Sequence, residues 1–308
     1  MTCKRIFSTI LLVGAACAAC GNYSNEDLEF MNAVPARQDF VASIKGAVMP
    51  ANEAELAKDT HNVILVFNKA LDFLKIADAI RSFPPTSRIP DGRVWGPVPD
   101  DNHAGWQWRF TMHRAPDVAD KFTYTFEENE IGTDTWSTLL SGSFTSTGGE
   151  RRGTGDFSLK TDPARLAGFT FAPGDDGSLV QELDINYSTA EYPIFVDMKL
   201  SVYPDYTNPD PATISTINYH YEALADGQGG MHFDGTDSTG KMLAIDSRWQ
   251  ATGRGRADAT ANPDPVTGAV PTWTECWNDS FVSVYDNKSW DPAMTTGILT
   301  DCPDISTL

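Results

Sequence analysis

From about residue 94 to residue 260, apolar and polar residues alternate with a period of two. "GWQWRFTMHR" sets Trp106, Trp108, Phe110 and Met112 on one side. "KFTYTFEE" does the same with Phe122, Tyr124 and Phe126, and "PIFVDMKLSVY" with Ile194, Val196, Met198, Leu200 and Val202. Successive side chains of a strand point to opposite faces, so this alternation predicts strands with one buried face. Further strands are expected at 136–146, 152–160, 179–188, 212–224, 229–236 and 242–254, separated by turn-forming runs such as "STGGE", "YTNPDP" and "ADGQGG". About nine strands with no helix between them imply an antiparallel meander, and a sheet of that size curls into a barrel or half-barrel.

Upstream the period lengthens. In "NEAELAKDTHNVILVFNKALDFLKIADAIRSF" (52–83), Leu56, Val63, Phe67, Leu71, Leu74 and Ile80 recur at three to four, and Val66, Ala70, Phe73 and Ala77 widen the stripe. The spacing predicts one long helix, capped by Asn52, with a face broad enough to lie on a sheet. "FPPTSRIPDG" ends it with three prolines and a glycine. The expected fold class is therefore mainly β (α+β): a large curled meander with one long N-terminal helix packed on it. Residues 51–308 read as a single domain, with the helix at 52–83, the meander at 94–260 and a closing segment at 270–308. Residues 20–50 read as a polar tether. In the closing segment Trp273, Trp277, Phe281 and Tyr285 fall at intervals of four, the spacing of one helical face.

The first nineteen residues are of another kind. Lys4 and Arg5 precede an apolar run from Ile6 to Ala16, which leads through small residues to Cys17-Ala18-Ala19-Cys20. A charged start, a core of roughly ten apolar residues and a small-residue exit make an export signal, and that core is too short to span a bilayer. A redox Cys-x-x-Cys needs a strand before it and a helix after it. Here the pair stands between a leader and "GNYSNED". The pattern resembles a bacterial lipobox, in which the cysteine takes a thioether-linked diacylglycerol and becomes the first residue. Cys20 is the favoured anchor and Cys17 the alternative; cleavage at an Ala-x-Ala-like site, giving a soluble exported protein, stays open. Cys276 and Cys302 remain, and in an oxidising compartment they most simply form a disulfide pinning the closing segment to the sheet. Two reduced thiols are the other option.

Charge narrows the partners. The chain carries 23 Lys+Arg against 42 Asp+Glu, a net charge of −19. Loss of the leader removes Lys4 and Arg5 and no acid, leaving −21. No nucleic acid is expected as a partner, because its recognition needs basic surface.

Motifs for chemistry are few. There is no Gly-x-Ser-x-Gly elbow, His-Glu-x-x-His, phosphate loop or dinucleotide-binding glycine string, and no cofactor is expected. One hairpin, "NYHYEALADGQGGMHF", carries a conditional site. With an odd loop, His220, Glu222, His232 and Asp234 gather on one face, a donor set that suits zinc. With an even loop the two histidines fall on opposite faces and the set disperses.

The mature start "CGNYSNEDLEFMNAVP", the stretch "SRWQATGRGRAD" and the closing "ECWNDSFVSVYDNKSW" resemble a group of lipoproteins predicted from myxobacterial genomes. That resemblance implies an outer-membrane or cell-surface lipoprotein and supplies no catalytic residues. A lipid-anchored curved sheet crossed by a helix also looks like the half-barrel carriers of lipoproteins and lipids, a likeness of fold alone. Two functions follow as expectations. One is a non-enzymatic envelope lipoprotein, joined to the membrane by its anchor, whose curved sheet binds an apolar ligand or a partner protein. The other is an exported hydrolase with paired carboxylates, in the manner of a glycosidase.

Overall fold

The computed structural model describes residues 23–44, 52–118, 120–169, 180–203, 210–236 and 240–303. The leader, Cys17 and Cys20 lie outside the described residues. The strands are β1 Ser87–Ile89, β2 Gly92–Pro99, β3 Trp106–Arg114, β4 Lys121–Glu130, β5 Ser137–Ser146, β6 Gly153–Lys160, β7 Val180–Ser188 and β8 Ile194–Val202. They continue as β9 Ser215–Ala223, β10 Gly229–Thr236, β11 Met242–Trp249, β12 Gly255–Ala261, β13 Thr272–Trp277, β14 Ser283–Lys288 and β15 Thr296–Gly297. All fifteen form one sheet, and each pairs antiparallel with its neighbours in sequence. The sheet is open, with the short β1 and β15 as its edges, so the closed barrel is not formed.

Register separates two faces. One row of directly paired residues runs Met112–Tyr124–Gly142–Phe157–Ile185–Met198–Tyr219–Phe233–Ile245–Ala259–Trp273, crossing from β3 to β13 without a charged side chain. The row beside it runs Ser143–Asp156–Asn186–Asp197–His220–His232–Asp246–Asp258–Thr274 and is polar throughout. Glycine makes room for rings on the apolar face. A Cβ at Gly155 would meet the Tyr187 hydroxyl at 2.4 Å, and one at Gly255 would meet the Trp277 ring at 2.6 Å.

The chain's own N-terminal part covers the apolar face. The expected single helix over 52–83 is instead α2 Glu55–Ala70, a 3-10 turn Leu71–Leu74 and α3 Lys75–Ser82. The apolar stripe continues through the turn, so periodicity alone gives no sign of the break. Phe67 packs on Tyr219 and Tyr221, with ring centroids 5.9 and 5.7 Å apart, and Phe73 packs on Phe157 at 5.0 Å. Val66, expected to widen the stripe, is exposed. Asn52 does not cap α2; the cap residue is Ala54, and Glu275 of β13 accepts the Leu56 amide at 2.6 Å. A carboxylate from a distant strand thereby satisfies one of the free N–H groups at the helix start.

Residues 23–44 correct the tether. A second helix, α1 Asn25–Asn32, opens with a capping box between Ser24 and Asp27. Phe30, Val34 and Phe40 are buried. Phe30 meets Phe122 edge-on at 5.2 Å, and Phe40 meets Tyr187 at 4.7 Å. Ion pairs fix the segment along its length. Asp27, wholly buried, receives Arg93 at 2.5 Å and Arg88 at 2.8 Å, Arg37 donates to Asp72 at 2.6 Å, and Arg151 donates to Asp39 at 2.9 Å. The segment looks polar in sequence because half of what holds it is charge, with partners up to 112 residues away.

The closing segment is strand, not helix: Trp273 and Trp277 lie on β13, Phe281 in the turn and Tyr285 on β14. An interval of four fits the period of two as well as it fits 3.6, so the spacing was ambiguous. Cys276 and Cys302 are placed as a disulfide with Cα atoms 5.4 Å apart.

Candidate functional site

Because the sheet's apolar face is occupied, the outer face of β6–β10 holds the candidate site. Two adjacent polar rows make it: Asp156–Asn186–Asp197–His220–His232, and Ser158–Asp184–Lys199–Asn218–Asp234. They line a solvent-open trough of about 670 Å³. Four aspartates against one lysine leave the lining acidic.

The β9–β10 loop has an odd length, since Ala223 pairs with Gly229 and residues 224–228 lie between. His220 and His232 therefore share a face and stand directly opposite one another. The two carboxylates stand two residues along from the histidines: Glu222 lies opposite Gly230, and Asp234 opposite Asn218. His220 Nδ1 lies 2.6 Å from Asp197 and its Nε2 3.2 Å from Glu222, whose other oxygen accepts from Arg248 at 2.7 Å. His232 lies 3.5 Å from Asp234 and 3.8 Å from Asp246. The four candidate residues thus share one face, but each imidazole faces its own carboxylates. Among the described residues no group of three or more His, Cys, Asp or Glu is arranged to hold a metal ion.

Electrostatics follow the pairing. Burial disfavours charge on His220, but hydrogen bonds and attraction from Asp197 and Glu222 outweigh it and raise its pKa above the ordinary value. Arg248 holds the Glu222 carboxyl below its usual range, with His220 assisting. Of this arrangement the sequence showed the polar alternates of each strand and the hairpin. It did not show Asp156, Asp184, Asp197 and Lys199 as one lining, because two separate strand pairings bring them together.

A second polar centre lies at the far end of β4. Glu128, 5% exposed, has its pKa raised to about 7 by burial and by the charge of Asp100. Asp100 is held low by His103, whose Nδ1 lies 2.7 Å from it.

No family model, curated protein or solved structure matches this chain. Its class is defined by its own architecture: a mainly β protein on one open fifteen-stranded meander.

Proposed function

We propose that the mature protein is a lipid-anchored envelope protein, joined to the membrane through Cys20, that acts by binding and not by catalysis. Its recognition surface is the outer trough of β6–β10, and the partner it suits is cationic. The carrying observation is the contrast of faces: the apolar face is filled by Phe30, Phe40, Phe67 and their neighbours, while the acidic trough is open. On this reading the sheet curls about its N-terminal layer: Leu56 of α2 is held by Glu275 of β13 and Phe83 packs beside Trp108 of β3, so one helical run reaches both sides of the meander.

The paired-carboxylate reading has one observation in its favour, the opposed shifts of Glu128 and Asp100. A general acid must come within hydrogen-bond reach of substrate, and Glu128 is buried. The test is calorimetric titration of the protein with a tri-lysine peptide and, as control, a tri-glutamate peptide. Tri-lysine should bind with an affinity that falls as salt rises. Asp184→Asn with Asp197→Asn should abolish binding. Equal affinity for both peptides, or no loss in the double variant, refutes the assignment.

A further inference from the structure

The loss of the expected tether has a geometric consequence for how the protein sits on a membrane. If Cys20 bears the lipid, only Gly21 and Asn22 separate it from Tyr23, whose hydroxyl already donates to the Arg81 carbonyl at 3.5 Å. Three residue steps reach about 11 Å at full extension. The anchor therefore cannot hold the body at a distance; it must bring the surface around α1 against the bilayer.

That surface belongs to one end of the sheet. Asp27 of α1 is clamped to Arg88 and Arg93 of the first hairpin, and Glu29 to Arg114 at the end of β3, at 2.6 Å. The β1–β2 turn and the β3–β4 turn lie at this same end, since Gly92 pairs with His113 and Arg114 with Phe122. Each of the three elements exposes an apolar side chain: Leu28 on α1 is 44% exposed, Ile89 on β1 37%, and Val118 in the β3–β4 turn 46%. We propose that this end, led by Leu28, Ile89 and Val118, is the membrane-contact surface, and that its partner is the lipid bilayer itself. The inference rests on the lipid-anchor reading of Cys20. Glu26 and Glu29 are also exposed here, so attraction to anionic lipid plays no part; the anchor supplies the affinity and the apolar side chains fix the orientation. The opposite end of the sheet, marked by Ile131 just past β4, is held about 30 Å away by that ten-residue strand.

The experiment uses full-length protein, processed by the producing cell and reconstituted into phosphatidylcholine vesicles containing a headgroup spin-labelled quencher lipid. Single cysteines are introduced as Leu28→Cys and Val118→Cys, with Ile131→Cys and Leu166→Cys as far-end controls, Leu166 closing the short helix Asp162–Leu166 that follows β6 at the Ile131 end, and each is labelled with a nitrobenzoxadiazole dye. Flotation of the vesicles is measured on the same samples. The expected result is flotation in every case, with quenching severalfold stronger at positions 28 and 118 than at 131 and 166. Flotation with uniform quenching, or with stronger quenching at 131 and 166, overturns the orientation and leaves the anchor standing. Failure to float overturns the anchor and the orientation with it.

Discussion

The two faces of this sheet are built from alternate residues of the same strands, yet they meet opposite surroundings. On one face Ile185, Met198 and Tyr219 lie under helices and rings from residues 23–83. On the other, Asn186, Asp197 and His220 line an open acidic trough. A sheet with one apolar face must bury that face against another layer, and this chain does so with its own N-terminal part. That makes the layer structural and leaves the polar face exposed.

The sharpest test substitutes neighbours. Ile185→Ala, at a site 1% exposed, is expected to cost about 4 kcal/mol in equilibrium denaturant unfolding, whereas Asn186→Ala, next along β7 on the outer face, should stay within about 0.5 kcal/mol. Similar losses at both sites would dissolve the distinction between the faces. Next comes the clamp on the covering layer. Asp27→Ala removes the buried carboxylate shared by Arg88 and Arg93, leaving the buried Arg93 only the exposed Glu26, and should cost about 3 kcal/mol at neutral pH. Burial pushes the Asp27 carboxyl up, but hydrogen bonds from Arg88, Ser24 and Arg93 outweigh it and hold the group far below the usual range. A depressed folded pKa gives stability that is present above the ordinary aspartate range and lost as pH falls through the folded value. Parent and variant should therefore converge on acidification, and a gap that stays constant would contradict the clamp.

The strands were legible wherever large apolar residues alternate; each of the nine expected strands has a counterpart, although β11 ends at Trp249 and not at residue 254. β12 lacks the large-residue alternation of a separate strand because its inward residues are Gly255, Ala257 and Ala259, kept small where tryptophans lie across them. β2 was hidden by Pro97 and Pro99. The cover over 23–44 was illegible for another reason: its few apolar residues and many charges look like a linker until the arginines that receive those charges are known. Of the site, the same-face placement of His220 and His232 was legible as one branch of a choice that only the loop length decides.

Two further effects sharpen the picture at the edges. Cys302→Ser should cost about 3 kcal/mol, loosening the closing segment before the rest, and non-reducing peptide mapping should recover one Cys276–Cys302 bridge. Two alkylatable thiols would remove that staple. On the outer face, the proton resonances of His220 should titrate above the ordinary histidine value, and Asp197→Asn should bring the midpoint down. A raised folded pKa contributes stability that is full below the ordinary histidine value and disappears as pH rises through the folded one. Its loss on raising the pH should be under about 1 kcal/mol for so exposed a group.

Amide hydrogen exchange over residues 25–34 of the mature protein tests the central claim most directly. If this segment is a packed cover on the sheet, the amides from Leu28 in α1 to Val34 just beyond it are protected to the same order as those of β3 and β4 beneath them. Exchange at the rate of a free peptide, with β3 and β4 still protected, would contradict the account and return the segment to a tether.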